Sequence, residues 1–360
     1  MYSDSDLEAA VAAGALSPDA ASALRTYVAS RSGAVAVDEE HFRLLTGFND
    51  IFVAIAAAIL LFAVGWIGYA VGPHIDGDGP SPFAGLFVAA TAWGLAEFFT
   101  RKRRMALPSI ILLLAFTGGV MLTALTTFVL AIGEERLEDS EQAIALVVAA
   151  SAAVAAGATW LHWRRFRVPI TVAVGALTVV GVAMALIASA VGDVPALENV
   201  MLWSALVLGV TVFLFAMWWD SSDRARETRR SDVAFWLHLL SAPLIVHPIF
   251  SLLGLTDGDA SIGEALIVLG VYVLLGITAL AIDRRALLVS ALAYVLFALI
   301  SLFREFGAVE LNIALAAFVI GSGLLLLSAF WHGVRRSVVR PLPPGLQARL
   351  PVTDRTVVAA

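Results

Sequence analysis

Two histidines, His238 and His247, fall inside one long apolar stretch, VAFWLHLLSAPLIVHPIFSLL, and are the residues whose type and place first suggest chemistry. Imidazole titrates near neutrality, so it can carry a proton or polarise a ligand. In hydrocarbon it is costly unless a partner or a task accounts for it. Nine residues along a helix amount to about 13 Å of rise and about half a turn of rotation. The two rings therefore point to opposite sides and cannot hold one metal ion between them. No Glu-x-x-His pair of the kind found in bundle di-metal sites is present either, so neither a metal nor a cofactor is expected.

Pro243 and Pro248 interrupt the same stretch. Each removes a backbone donor, which frees the carbonyls of Leu239 and Leu244 and bends the helix. In lipid those carbonyls must be met by another helix, a hydroxyl or water, and Ser241 and Ser251 are close enough in sequence to contribute. A broken helix with a histidine beside freed carbonyls has the outline of a transporter's substrate or ion site. The depth of His247 suggests Glu264, Glu310 and Asn312 as further members of an outward-facing polar cluster, with Arg304 and Glu305 at the same level. His247 and His238 are thus the ligand or proton-coupling candidates, together with Ser251, Glu264, Glu310 and Asn312. On the other side of the membrane, Arg224, Arg226, Arg229 and Arg230 form a candidate anion or lipid-headgroup site. They interleave with Asp220, Asp223, Glu227 and Asp232, so a self-neutralising connector is the plainer account. Asp232 is placed to cap the helix that carries the histidines. No catalytic residue is assigned.

The elements that must position these groups follow from composition. A chain of 360 residues that is 60% hydrophobic and 14% charged cannot hide its apolar side chains in one soluble core. It reads as an all-α polytopic membrane protein. Ten apolar segments lie near 50–72, 82–100, 107–132, 141–162, 168–191, 197–219, 233–254, 261–282, 285–304 and 310–332. Every second connection is arginine-rich: Arg101 to Arg104, Arg164 to Arg167, Arg224 to Arg230, Arg284-Arg285 and Arg335 to Arg340. The others are acidic and contribute only Arg136 and Arg304. That alternation predicts both termini in the cytoplasm of a bacterial inner membrane.

The arginine turn followed by a new span recurs as RRMALPSIILLLAF, RRFRVPITVAVGAL, RRSDVAFWLHLL and DRRALLVSALAY, so the expected architecture is five helical hairpins. The Ala-, Ser- and Gly-rich fourth span is expected at the centre of the bundle, because small residues admit close neighbours. Threonines 117, 123, 126 and 127 are expected to bond their own carbonyls or line a seam. Glu97 pairs with Arg101 at i, i+4, Asp50 caps the first span, and His162 and His332 read as interfacial anchors.

Three domains are expected: residues 1–45 as a cytoplasmic helical hairpin with an interfacial segment, 46–334 as the transmembrane domain, and 335–360 as a cytoplasmic tail without fixed structure. In the hairpin, Ser5 and Glu8 form a capping box and Ser17-Pro18 starts a second helix. The acidic N-terminus lacks the basic start of a signal peptide. With no cysteine in the chain, disulfides, thiol nucleophiles and thiolate metal sites are excluded. No phosphate-binding glycine motif supports a nucleotide. Gly321-Ser322-Gly323 lacks the spacing of a serine hydrolase motif, and Asp76-Gly-Asp78-Gly fails as a calcium loop at Pro80 and Phe87.

The hairpin LEAAVAAGALSPDAASAL followed by paired apolar helices resembles bacterial membrane proteins grouped as domains of unknown function. The resemblance implies a layout and carries no activity. Three functions fit the residues: a small-solute or ion transporter working through the seventh span, a membrane scaffold or sensor engaging a protein partner through residues 1–40, and an intramembrane lipid-active enzyme. The expected partners are the lipid bilayer and, in the second of these readings, a protein at residues 1–40, and no nucleic acid is expected.

Overall fold

The computed structural model describes Leu7, residues 10–31, 48–138, 140–192, 194–224, Arg226, and residues 228–253, 262–305 and 311–352. The chain divides into two units, Met1–Arg43 and Leu44–Ala360. In the first, the helix Pro18–Arg31 begins as expected, with Ser17 Oγ accepting the Ala20 amide at 3.1 Å. Leu7 and Ala21 are buried in it. The Ser5 and Glu8 capping box lies outside the described residues.

Among the described residues of the second unit, ten helices are long and apolar enough to cross a bilayer. In chain order these spans are Phe48–Tyr69, Pro82–Phe99, Ala106–Ile132, Glu141–Phe166, Ile170–Val191, Leu197–Ser221, Arg229–Leu252, Ile262–Ile282, Ala286–Glu305 and Asn312–Ala329. The second span shows why the sequence breaks where it does: Ser81 caps it, Pro82 opens it without losing a useful donor, and Arg101 to Arg103 lie beyond its end. The fourth starts the same way, with Ser140 Oγ accepting the Ala143 amide.

The odd-numbered spans touch in sequence, first to third to fifth to seventh to ninth, and the even-numbered spans lie alongside that row. The most extensive pairings are second with third, fourth with fifth, and sixth with seventh, each closed by an arginine-rich connection. Four of these connections pass through one left-handed residue that is not glycine: Arg104, Arg167, Arg226 and Asp283, with φ between 53° and 57°. The left-handed region costs such residues about 1–2 kcal/mol. The recurring arginine turn is therefore a recurring backbone conformation as well as a recurring charge.

Close crossings hold the paired helices. At Gly85 and Gly119 the second and third spans approach so nearly that a Cβ on either would strike the other's backbone. At Gly209 the sixth span approaches Leu244 of the seventh, where a Cβ would meet backbone carbon and oxygen at 2.8 and 2.9 Å. Leu244 is the residue whose carbonyl Pro248 frees. That carbonyl is thus covered by a glycine of the adjacent helix, the setting for a Cα–H···O contact.

Several sequence expectations shift. The seventh span starts at Arg229 with Thr228 as its cap, whose Oγ1 accepts the Arg230 amide at 3.2 Å; Asp232 sits inside the first turn instead. Asp50 likewise lies within the first span, which begins at Phe48, and is buried there. The fourth span is not central: it packs on the third and fifth, and Trp160 and Leu161 face outward. The seventh is the most enclosed, with half of its apolar window buried against a third for the fourth. It packs against the fifth, sixth and ninth spans. Residues 335–352, expected to lack structure, continue a helix, Trp331–Val339, and a turn, Pro344–Gln347, before burying Leu350 and Pro351.

Candidate functional site at the arginine-rich end

Apart from Asp50 in the first span, the buried charged residues among those described gather where the sixth, seventh and eighth spans end or begin on the arginine-rich side, together with Arg335 beyond the tenth. Asp220 closes the sixth span and is almost wholly buried. Its Oδ1 accepts from Arg284 Nη2 at 2.6 Å, and its Oδ2 accepts from Arg284 Nε at 3.3 Å. The two bonds make the paired fork that guanidinium and carboxylate form best. His238 Nε2 stands 3.1 Å from the same Oδ2. Arg284 also donates to the Ser231 carbonyl, which ties the start of the seventh span to the turn after the eighth.

Asp283, the neighbour of Arg284, anchors a second knot. Its Oδ2 accepts from Arg226 Nη1 at 2.9 Å, and its Oδ1 accepts from Trp331 Nε1 at 2.6 Å, with Arg335 Nε at 3.6 Å. Arg226 adds bonds to the Ile282 and Asp283 carbonyls. Arg335 donates to the carbonyls of Leu280, Pro351 and Val352. Arg224 does the same for Gln347 and Leu350. Asp223, also buried, accepts from the amide and hydroxyl of Thr228. One network therefore joins the sixth-to-seventh connection, the eighth-to-ninth connection and the segment beyond the tenth span.

His238 is enclosed by this arrangement. Phe213 meets its ring edge-on at 5.2 Å, and its Nδ1 is buried without a protein partner. His247 lies on the opposite side of the helix, as nine residues require, and is exposed. Its Nδ1 is 2.7 Å from the Tyr294 hydroxyl of the ninth span, and Tyr294 in turn stacks on Phe250 at 4.4 Å. Ser251 is half-buried near the end of the seventh span, and Glu264 half-buried in the first turn of the eighth. Asn312 is buried at the first position of the tenth span, after Leu311 at the cap, and its Oδ1 accepts the adjacent Ile313 amide at 2.7 Å. Glu310 lies outside the described residues. Ser241 donates to the His238 carbonyl at 3.0 Å, not to the Leu239 carbonyl freed by Pro243.

The arginine quartet does not converge on one point. Arg226 turns inward to Asp283 and Arg224 to the C-terminal segment, while Arg229 and Arg230 are exposed. Sequence reasoning missed Asp283 and the roles of Asp220, Arg284, Trp331 and Arg335. A signal was present: among the arginine-rich connections, only the third and fourth also carry aspartates, and an acid on an otherwise basic face calls for an internal partner. Among the described residues no group of three or more His, Asp and Glu side chains is placed to hold a metal ion.

Elsewhere the fixings are simpler. Glu97 accepts from Arg101 at 3.3 Å as expected, and also from Arg165 Nε and Nη2 at 2.6 and 2.8 Å, which links the second and fourth spans at the surface. His162 is buried rather than interfacial, in contact with Trp93, Phe116 and Phe166 and 3.4 Å from Thr171 Oγ1. Thr117 and Thr159 meet across the third and fourth spans, while Thr123 and Thr126 bond carbonyls of their own helix. At the acidic end Glu134 accepts the Asp76 amide with both oxygens. The Asp76 carboxyl beside it raises the Glu134 pKa above the usual carboxylate value.

These features define a polytopic helical membrane protein with a buried ionic network at one end. No protein-family model, no curated protein and no solved structure matches the chain.

Proposed function

We propose that this protein is a transporter of a small solute or ion, oriented with both termini in the cytoplasm, and that its seventh span is the working element. The observation that carries the reading is the pairing of two imidazoles on opposite faces of one proline-interrupted helix. His238 is buried against Asp220 with its Nδ1 unpaired; His247 is exposed and held by Tyr294. Ionisable groups inside membrane spans mark ion and proton paths more often than they serve as packing. In this reading the Asp220–Arg284 pair with His238 closes the cytoplasmic side, and His247 exchanges protons on the side open to the outer half of the membrane. Proline gives the seventh helix a bend at which the two halves can move separately. The arginine-rich connections support the orientation.

The test is proton movement into liposomes containing the purified protein and a trapped pH-sensitive dye, driven by gradients of a panel of inorganic ions and amino acids. Flux above that of empty liposomes, lost in His247→Ala, is the expected result. Flux unchanged in His247→Ala removes the role given to that residue, and no flux with any gradient removes the transport reading.

A second reading rests on a separate observation: residues Met1–Arg43 form a compact unit of their own. Such a module suits a scaffold or sensor that engages a protein partner. Deleting residues 1–40 would then abolish co-purification of that partner while leaving the spans folded.

A further inference from the structure

The ninth and tenth spans enclose a groove of about 170 Å³ close to the arginine-rich end, lined by Leu288, Val289, Leu292, Leu324, Leu327 and Trp331, with Ser328 and Arg285 also on its wall. All but the last two are apolar, and two of the lining residues, Val289 and Ser328, are exposed on the outside of the bundle. In a polytopic membrane protein that outside is lipid. Arg285 lies with its guanidinium 4.8 Å over the Trp331 ring, at the level where arginine and tryptophan mark the boundary between hydrocarbon and headgroups. Trp331 is itself fixed, because its Nε1 donates to the buried carboxylate of Asp283. The groove thus has a rigid aromatic floor, aliphatic walls and one cation at its polar end.

We propose that this groove is a binding site for one anionic phospholipid, with an acyl chain between the ninth and tenth spans and the headgroup phosphate on Arg285. Charge and shape agree on that occupant. An apolar channel open to the bilayer takes a hydrocarbon chain, and a guanidinium at headgroup depth selects a phosphate that lacks a compensating ammonium. A zwitterionic lipid satisfies the channel but gains less from Arg285. Because Trp331 joins the groove to the ionic network through Asp283, an occupied groove also braces the eighth-to-ninth connection. The site does not depend on transport, and its chemistry does not depend on which side of the membrane the arginine-rich end faces.

The experiment is native mass spectrometry of the full-length detergent-solubilised protein after titration with phosphatidylglycerol or phosphatidylcholine of the same chain length. The unsubstituted protein should retain one phosphatidylglycerol in preference to phosphatidylcholine. Arg285→Gln should weaken retention of the anionic lipid about fivefold, the effect of one basic residue at a charged surface, and should leave phosphatidylcholine unchanged. Ser328→Trp fills the groove from an exposed position and should remove both lipids while the protein keeps its helical circular dichroism. Equal retention of the two lipids by the unsubstituted protein overturns the headgroup assignment. Undiminished phosphatidylglycerol retention in Ser328→Trp overturns the groove.

Discussion

From the second span to the fifth, the arginine-rich connections are tied on the outside of the bundle; from the sixth onward they are tied within it. In the first region Glu97 bridges Arg101 and Arg165 at a partly exposed surface, while Arg103 and Arg164 rest on Phe98 and Trp160. The buried histidine there, His162, has aromatic neighbours and the hydroxyl of a threonine beside it. In the second region Asp220, Asp283, Arg226, Arg284 and Arg335 are buried together, and the buried histidine, His238, faces a carboxylate. Both regions obey the same rule of positive charge, and both use a left-handed turn residue. What separates them is two aspartates. An arginine whose acid partner is a partly exposed glutamate stays at the surface, as at Glu97, whereas an arginine facing a buried aspartate on another turn is drawn inside.

That contrast can be broken most forcefully at Asp220. Removing one partner of a buried ion pair leaves the other charged and unsolvated, which costs about 3–5 kcal/mol. Asp220→Asn should therefore lower the unfolding free energy by about that amount, measured by denaturant titration in mild detergent. Replacing both partners with apolar residues, Asp220→Leu with Arg284→Met, should cost less than the sum of the single changes, because no orphaned charge remains. Additive losses would show that the two side chains do not act as a pair.

A smaller effect is expected at Trp331, which ties the helix beyond the tenth span to Asp283. Trp331→Phe keeps most of the ring and deletes the Nε1 donor. Loss of one hydrogen bond to a charged group costs about 2 kcal/mol. Proteolysis should report it locally: the segment ending at Val352 should be cut sooner, since its anchor Arg335 shares Asp283 with Trp331. Unaltered cleavage would mean that Arg335 and Arg224 suffice to hold that segment.

How much of this could be read from the chain divides along physical lines. Span number and arginine alternation are written in runs of about 20 residues, far above the noise of local preference. The opposed histidines followed from helix rotation alone, and the structure keeps them opposed. Local rules worked where the partner was local, as for Glu97 with Arg101 or Ser17 with Ala20. They gave out where the partner lay on another element. Arg284 is 64 residues from Asp220 and Trp331 is 48 from Asp283, and nothing in periodicity links them. The fourth span misled for a related reason. Small residues permit close packing, but where a helix packs depends on its neighbours, and the seventh span with its prolines and histidines took the enclosed position instead.

The smallest effect is expected at Glu97, and it is the control that gives the others meaning. Its bonds to Arg165 are as short as any in the buried network, at 2.6 and 2.8 Å. Distance alone would therefore rank Glu97 beside Asp220. Environment argues otherwise: water and salt reach both Glu97 and its arginines, so the field between them is screened and the lost bonds are replaced by solvent. Glu97→Gln should leave the unfolding midpoint within measurement error of the parent, and raising the salt concentration should not widen the gap. Under the same salt the deficit of Asp220→Asn should persist, because ions do not enter the buried pair. If Glu97→Gln proved as damaging as Asp220→Asn, the division between an outer and an inner way of fixing the arginine-rich end would fail. Bond length, not burial, would then be the better guide to which charges hold this bundle together.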